Sequence, residues 1–214
     1  TLEVVETIIK PATAERKCRH VALLPAWAVG TAKTFVSHTW RAPFGDLCAA
    51  IAHVLPDEAI VWLDVFAVLQ WNVEDGLSAA MVAEKAEDLD FAKVVAATDA
   101  LLLVGKHVDE VEEMSLGDAF AHRVPEAARQ ACAFFRVWCL VELATALREG
   151  KPVVMLVGRE GESGAFEPDT RMLVKLFYCL DVAQAAASVE ADRVRILDAI
   201  RCAPGIDAVN SLCK

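Results

Sequence analysis

The chain has 214 residues, 56% of them hydrophobic, a mean hydropathy of +0.38 and a formal net charge of −10. That composition suits one domain with a large core and excludes global disorder. The acidic balance, with no Lys/Arg cluster, argues against a nucleic-acid partner, and the longest apolar run, Val21–Ala32, contains Pro25 and falls short of the ~20 residues a membrane span needs.

Residues 1–30 read as an N-terminal extension in which Pro11 and Pro25 interrupt any long helix. KTFVSH, from Lys33, is short and β-branched and predicts a buried first strand. APFG is a turn, and Asp46 stands where an N-cap belongs ahead of LCAAIAHVL, a helix that Pro56 and Asp57 end. Ala59–Val65 is the second strand, left through a long loop, FAVLQWNVEDG. Residues 78–98 are helical in pattern, and ALLLVG after Asp99 is the third strand. The charged stretch 106–124 reads as a variable insert. Pro125 fits the first turn of a helix running to about Glu149, where Gly150 stops it. PVVMLVG is the fourth strand, and a short fifth is expected near Phe177–Val182. An amphipathic helix over 190–201 precedes a tail, 204–214, with a final turn or two.

Continuous apolar strands alternating with helices predict an α/β domain over 31–203, a parallel sheet with helices on both faces. In such sheets ligands bind beyond the carboxyl ends of the strands, where strand order reverses. The stretches SHTWRAP and DVFAVLQWN, and any helix facing them, are the places to inspect.

Seven cysteines without a CxxC, most among apolar neighbours, fit reduced thiols in a cytoplasmic setting. Cys132 and Cys139, seven apart, are expected on one helix face in the core. No basic segment with a cleavage site marks a secretory leader. The five histidines show no metal-ligand spacing, so no metal is expected.

The most informative segment is RVWCLVEL, residues 136–143. Trp138 and Glu142 are i and i+4, so they share a helix face. The positions three and four from Glu142 are Trp138, Cys139, Thr145 and Ala146, none of them an opposite charge. A covered Glu142 needs a distant partner, a raised pKa or a cleft. On spacing alone a structural carboxylate paired elsewhere is the commoner outcome. Ser37 and His38 are adjacent in a strand and point to opposite faces, which argues against a Ser–His hydrolase. Asp64 can contact a ligand or cap its loop, and Phe66 and Trp71 read as loop packing.

Taken in order, TFVSHTW, VWLDV, ALLLVG and RVWCLVELATALREGKPVVMLV resemble a Toll/interleukin-1 receptor (TIR) domain of a divergent type, over roughly 33–201. WCLVEL is the most specific part. The resemblance implies a flavodoxin-like sandwich with a five-stranded parallel sheet in order 2-1-3-4-5. It also implies hydrolysis of the nicotinamide–ribose bond of NAD⁺, giving ADP-ribose or a cyclic form. NAD⁺ is then the substrate, no further cofactor is needed, and homo-oligomers form through TIR–TIR contacts. The family's catalytic Glu corresponds to Glu142 and the motif Trp to Trp138. The flanking loops would supply Ser37, His38, Trp40, Arg41, Asp64 and Phe66. His38 departs from the aromatic usual after the first-strand Ser, and the loop after the second strand lacks the family's Arg-Asp…Pro-Gly form.

Chemically, departure of nicotinamide leaves the ribose oxocarbenium-like, and a nearby carboxylate stabilises that cation. An indole face can hold the pyridinium. Two other readings compete: a non-enzymatic TIR-type interaction module, and an enzyme resembling nucleoside deoxyribosyltransferases.

Overall fold

The computed structural model describes residues 1–115, 123–202 and 204–213. Five strands form one sheet: β1 (Thr34–Ser37), β2 (Val61–Trp62), β3 (Ala100–Lys106), β4 (Val153–Glu160) and β5 (Phe166–Pro168). Their order is β2-β1-β3-β4-β5, the expected one. The first four are parallel, and β5 runs antiparallel to β4. The fifth strand is thus earlier than the sequence suggests. It closes a hairpin through residues 161–165, where Gly164 takes φ +80°. The segment 177–182 instead ends a helix. A two-residue β2 replaces the seven-residue strand expected, because Asp64 already begins a helical turn.

The helices in chain order are α1 (Leu2–Val4), α2 (Lys10–Thr13), α3 (Phe44–Val54), α4 (Asp64–Ala67), α5 (Ala79–Asp88), α6 (Phe91–Ala97), α7 (Asp109–Glu112), α8 (Glu126–Ala131), α9 (Val137–Arg148), α10 (Thr170–Cys179), α11 (Glu190–Cys202) and α12 (Ile206–Cys213). Pro11 does not interrupt its helix as expected. A wide π-type turn, Val5–Ile9, links α1 to α2 just before it, and such a turn accommodates a residue with no N–H to give. Pro43 rather than Asp46 occupies the N-cap position of α3, and Asp46 instead accepts from the Glu160 amide at 2.8 Å. The single helix expected over 125–149 is broken: α8 stops at Ala131, and a 3-10 turn, Ala133–Phe135, precedes α9. Cys132 therefore lies outside α9. It and Cys139 are both buried, but not as two turns of one helix. Of the expected insert, residues 116–122 lie outside the described residues.

Strand alternation splits the interior into two layers. Phe35, Leu101 and Leu103 enter a core shared with α6, α9, α10, α11 and α12. Val36, Leu102 and Val104 enter a second, with Val5, Leu47 of α3, Val65 and Phe166. Helices on both faces make three layers. Leu140 and Leu143 of α9 are fully buried, worth about 1.5–3 kcal/mol each against exposure.

The β4–β5 pairing depends on Gly158. A Cβ there would sit 2.2 Å from the Glu167 carbonyl oxygen and 2.7 Å from the Phe166 ring. Gly158→Ala is expected to cost about 1–3 kcal/mol, read as a lower urea midpoint.

Candidate functional site

The course of α9 is set just before it begins. The Ala186 amide donates to the Phe135 carbonyl at 2.7 Å, and the Val137 amide to the Ala186 carbonyl at 2.9 Å. This short extended passage re-aims the chain. Cys139 and Glu142 then face the carboxyl end of β1, and Trp138 and Val141 face an adjoining side.

Ser37, the last residue of β1, donates to Glu142 Oε2 at 2.5 Å. Among the described residues, this is the hydrogen bond Glu142 makes, and no ion pair reaches it. Glu142 is 5% exposed, so it neither opens to solvent nor pairs with an arginine. Burial, with a smaller push from the Asp64 charge, outweighs the Ser37 hydrogen bond and raises its pKa from 4.5 to about 8. This is the second of the outcomes left open by the sequence, a carboxyl that keeps its proton near neutrality.

The loop leaving β1 lies over this pair. The Cys139 thiol donates to the His38 carbonyl at 3.2 Å, and Thr39 Oγ1 to the Gln130 carbonyl at 3.1 Å. Trp40 Nε1 donates to Asp64 Oδ2 at 2.6 Å, joining the loop after β1 to the end of β2. His38 Nε2 and Asp64 Oδ1 approach to 3.5 Å without forming a hydrogen bond, and neither atom has a hydrogen-bond partner elsewhere. Burial lowers the His38 pKa more than Asp64 raises it, so the imidazole is neutral. Two unsatisfied polar atoms next to the Ser37–Glu142 pair are uncommon in a folded interior.

Ser37, His38, Trp40, Asp64 and Glu142 therefore gather at the carboxyl end of β1, where the chain passes to β2 on one side and β3 on the other. Three expected members are elsewhere. Trp138 packs edge-on to Phe91, centroids 5.4 Å apart, and the Arg195 guanidinium lies over its ring at 5.6 Å. Phe66 packs in the second core, against His20 and Phe44. Arg41 is exposed.

Sequence reasoning missed the groups that hold the loop. Gln130 is 9% exposed, donates to the Ala187 carbonyl at 2.7 Å and accepts from Arg136. Nothing in a polar residue near the end of α8 marks it as a tether. The N-terminal segment adds another: the Leu2 amide donates to the Trp40 carbonyl at 2.8 Å, and Trp71 Nε1 to Thr13 Oγ1 at 3.0 Å. That segment bridges the two loops bordering the site.

One ion-ligating arrangement also escaped the sequence. His107, Asp109 and Glu112 bring ligand atoms within 4.8 Å of one another. The other His107 nitrogen lies 3.0 Å from Asp169, the N-cap of α10. Asp109 is 94% exposed, so the set reads as a solvated polar cluster fastening α7 to α10.

Glu142 makes stability pH-dependent. The folded state keeps a proton that the unfolded chain releases near 4.5. Its contribution is full below that value and is lost as pH rises toward about 8. Urea unfolding should show wild type losing stability relative to Glu142→Gln across this window, on the order of a few kcal/mol.

Comparison with known proteins brings no match: no family model, no curated protein and no solved structure matches the chain.

Proposed function

We propose that this protein is a TIR-type NAD⁺ glycohydrolase with Glu142 as its catalytic carboxylate. The observation that carries the reading is the Ser37–Glu142 hydrogen bond, which links the end of β1 to the WCLVEL helix across 105 residues of sequence. It lies where an α/β sheet binds ligands. The neighbouring His38 and Asp64 have polar atoms awaiting partners.

In this reading NAD⁺ places its ribose against Glu142. The bond between the anomeric carbon and the pyridinium nitrogen breaks, and nicotinamide leaves with the electron pair. The carboxylate stabilises the positive ribose until water adds, giving ADP-ribose and a proton. An intramolecular nucleophile instead of water would give a cyclic product. The substrate's own cation favours the ionised carboxylate, so binding helps Glu142 release its proton. Ser37 holds the carboxylate in place. Access requires the loop 38–42 to lift, a gating step of a common kind, and homo-oligomer assembly against the loops after β1 and β2 would supply it.

The burial of Glu142 favours a second reading, a non-enzymatic interaction module in which a neutral Glu142 is structural. Nicotinamide release from NAD⁺ by purified protein, alone and with enforced oligomerisation, separates the two. Release by wild type and its loss in Glu142→Gln are expected. No release in either condition, or equal release by both proteins, would sink the enzymatic reading.

A further inference from the structure

A cleft of about 300 Å³ lies between α9, α11 and α12, on the side of α9 adjoining Glu142. Ile196, Ile200 and Val209 form its buried floor, and Trp138 and Val141 its wall. Two arginines, Arg148 and Arg195, stand among its lining residues. In a chain of net charge −10, no Asp or Glu is among the described residues lining it.

Neither guanidinium is committed to a strong pair. Arg195 reaches Asp192 at 3.3 Å within its own helix, and Arg148 reaches Glu149 at 3.8 Å; both are about two-thirds exposed, at 65% and 64%. Exposed pairs of this kind contribute little, so both cations can turn to a ligand at little cost. Arg195 also lies over the Trp138 ring at 5.6 Å. The guanidinium thus stands at the boundary between the indole and solvent.

We propose that this cleft binds a small anionic amphiphile, a medium-chain monocarboxylate, with its chain on Ile196, Ile200 and Trp138 and its carboxylate between Arg148 and Arg195. An apolar floor with a few convergent polar groups is the usual make-up of a small-molecule site. A guanidinium fork matches a carboxylate bidentately. The site is independent of Glu142 chemistry and stands whether or not the protein cleaves NAD⁺.

Isothermal titration calorimetry with decanoate tests it. Saturable binding at one site is expected, with decanol binding roughly tenfold more weakly. Arg148→Gln with Arg195→Gln should bring decanoate down to the decanol level. Ala199→Trp, at an exposed position lining the cleft, should fill it and abolish binding of both ligands without disturbing the core. Arg159→Gln, on β4 away from the cleft, should leave binding unchanged. No saturable binding by the folded wild type would overturn the proposal. So would equal affinity for decanoate and decanol, or unchanged binding in Ala199→Trp.

Discussion

Glu142→Gln is expected to lower nicotinamide release from NAD⁺ by on the order of 10²–10³-fold, the loss seen when one preorganised electrostatic group is removed from a reacting centre. Glutamine keeps the shape and can still accept from Ser37 Oγ, but it cannot carry the charge that faces the ribose cation. The same substitution should not destabilise the fold at pH 8, because the neutral amide has no buried charge to accommodate. Activity and stability therefore move differently, which misfolding would not produce. The wild-type kcat/KM should rise with pH toward about 8, the value to which burial moves Glu142, since that parameter reports the free enzyme. The kcat profile should rise at lower pH, because the bound pyridinium favours the carboxylate. A variant with wild-type release, or a wild-type kcat/KM that falls across this range, would remove Glu142 from the reaction.

Phe134→Ala is expected to cost about 3–5 kcal/mol, the range for deleting a buried ring. Phe134 is fully buried. A Cβ on Gly105 of β3 would lie only 2.9 Å from its ring, and Phe177 of α10 meets it edge-on at 5.7 Å. The missing Gly105 side chain is therefore space that the Phe134 ring fills. Truncation leaves a void between β3 and α10 that neighbouring backbone cannot close. The ring also sits in the 3-10 turn that sets where α9 begins, so Glu142 should lose its register with Ser37. Chemical denaturation measures the stability loss. A change below 1 kcal/mol would mean the site collapses around the void.

The succession of apolar strands and helices, and the end of the sheet to inspect, were legible in the sequence because they follow from strong local signals; the strand order came from the resemblance. TFVS and ALLLVG are runs too apolar to face water on either side, and helices on both faces of the sheet bury them, whereas PVVMLVG is covered in part, with Val154 42% exposed. The WCLVEL segment stood out because a lone carboxylate in an apolar helix requires a special arrangement. The break at Cys132–Arg136 was not legible, since its residues are compatible with a helix from Pro125 onward. Pairing of Phe135 and Val137 with Ala186, about fifty residues away in sequence, offers the backbone an alternative to helical hydrogen bonds. The antiparallel β5 was hidden for a similar reason: FEP is too short to signal a strand, and the hairpin after β4 makes it one.

By itself the sequence determined the parallel core, its 2-1-3-4-5 order once the resemblance was used, and the candidacy of Glu142. Periodicity and burial preference act within a few residues and survive in any arrangement of the chain. Only the tertiary structure decided what surrounds that carboxyl. It brought Ser37 to 2.5 Å, left His38 and Asp64 unsatisfied beside it and turned Trp138 toward Arg195. Those outcomes depend on how helix α9 is rotated against β1, which is fixed by contacts between segments far apart in sequence.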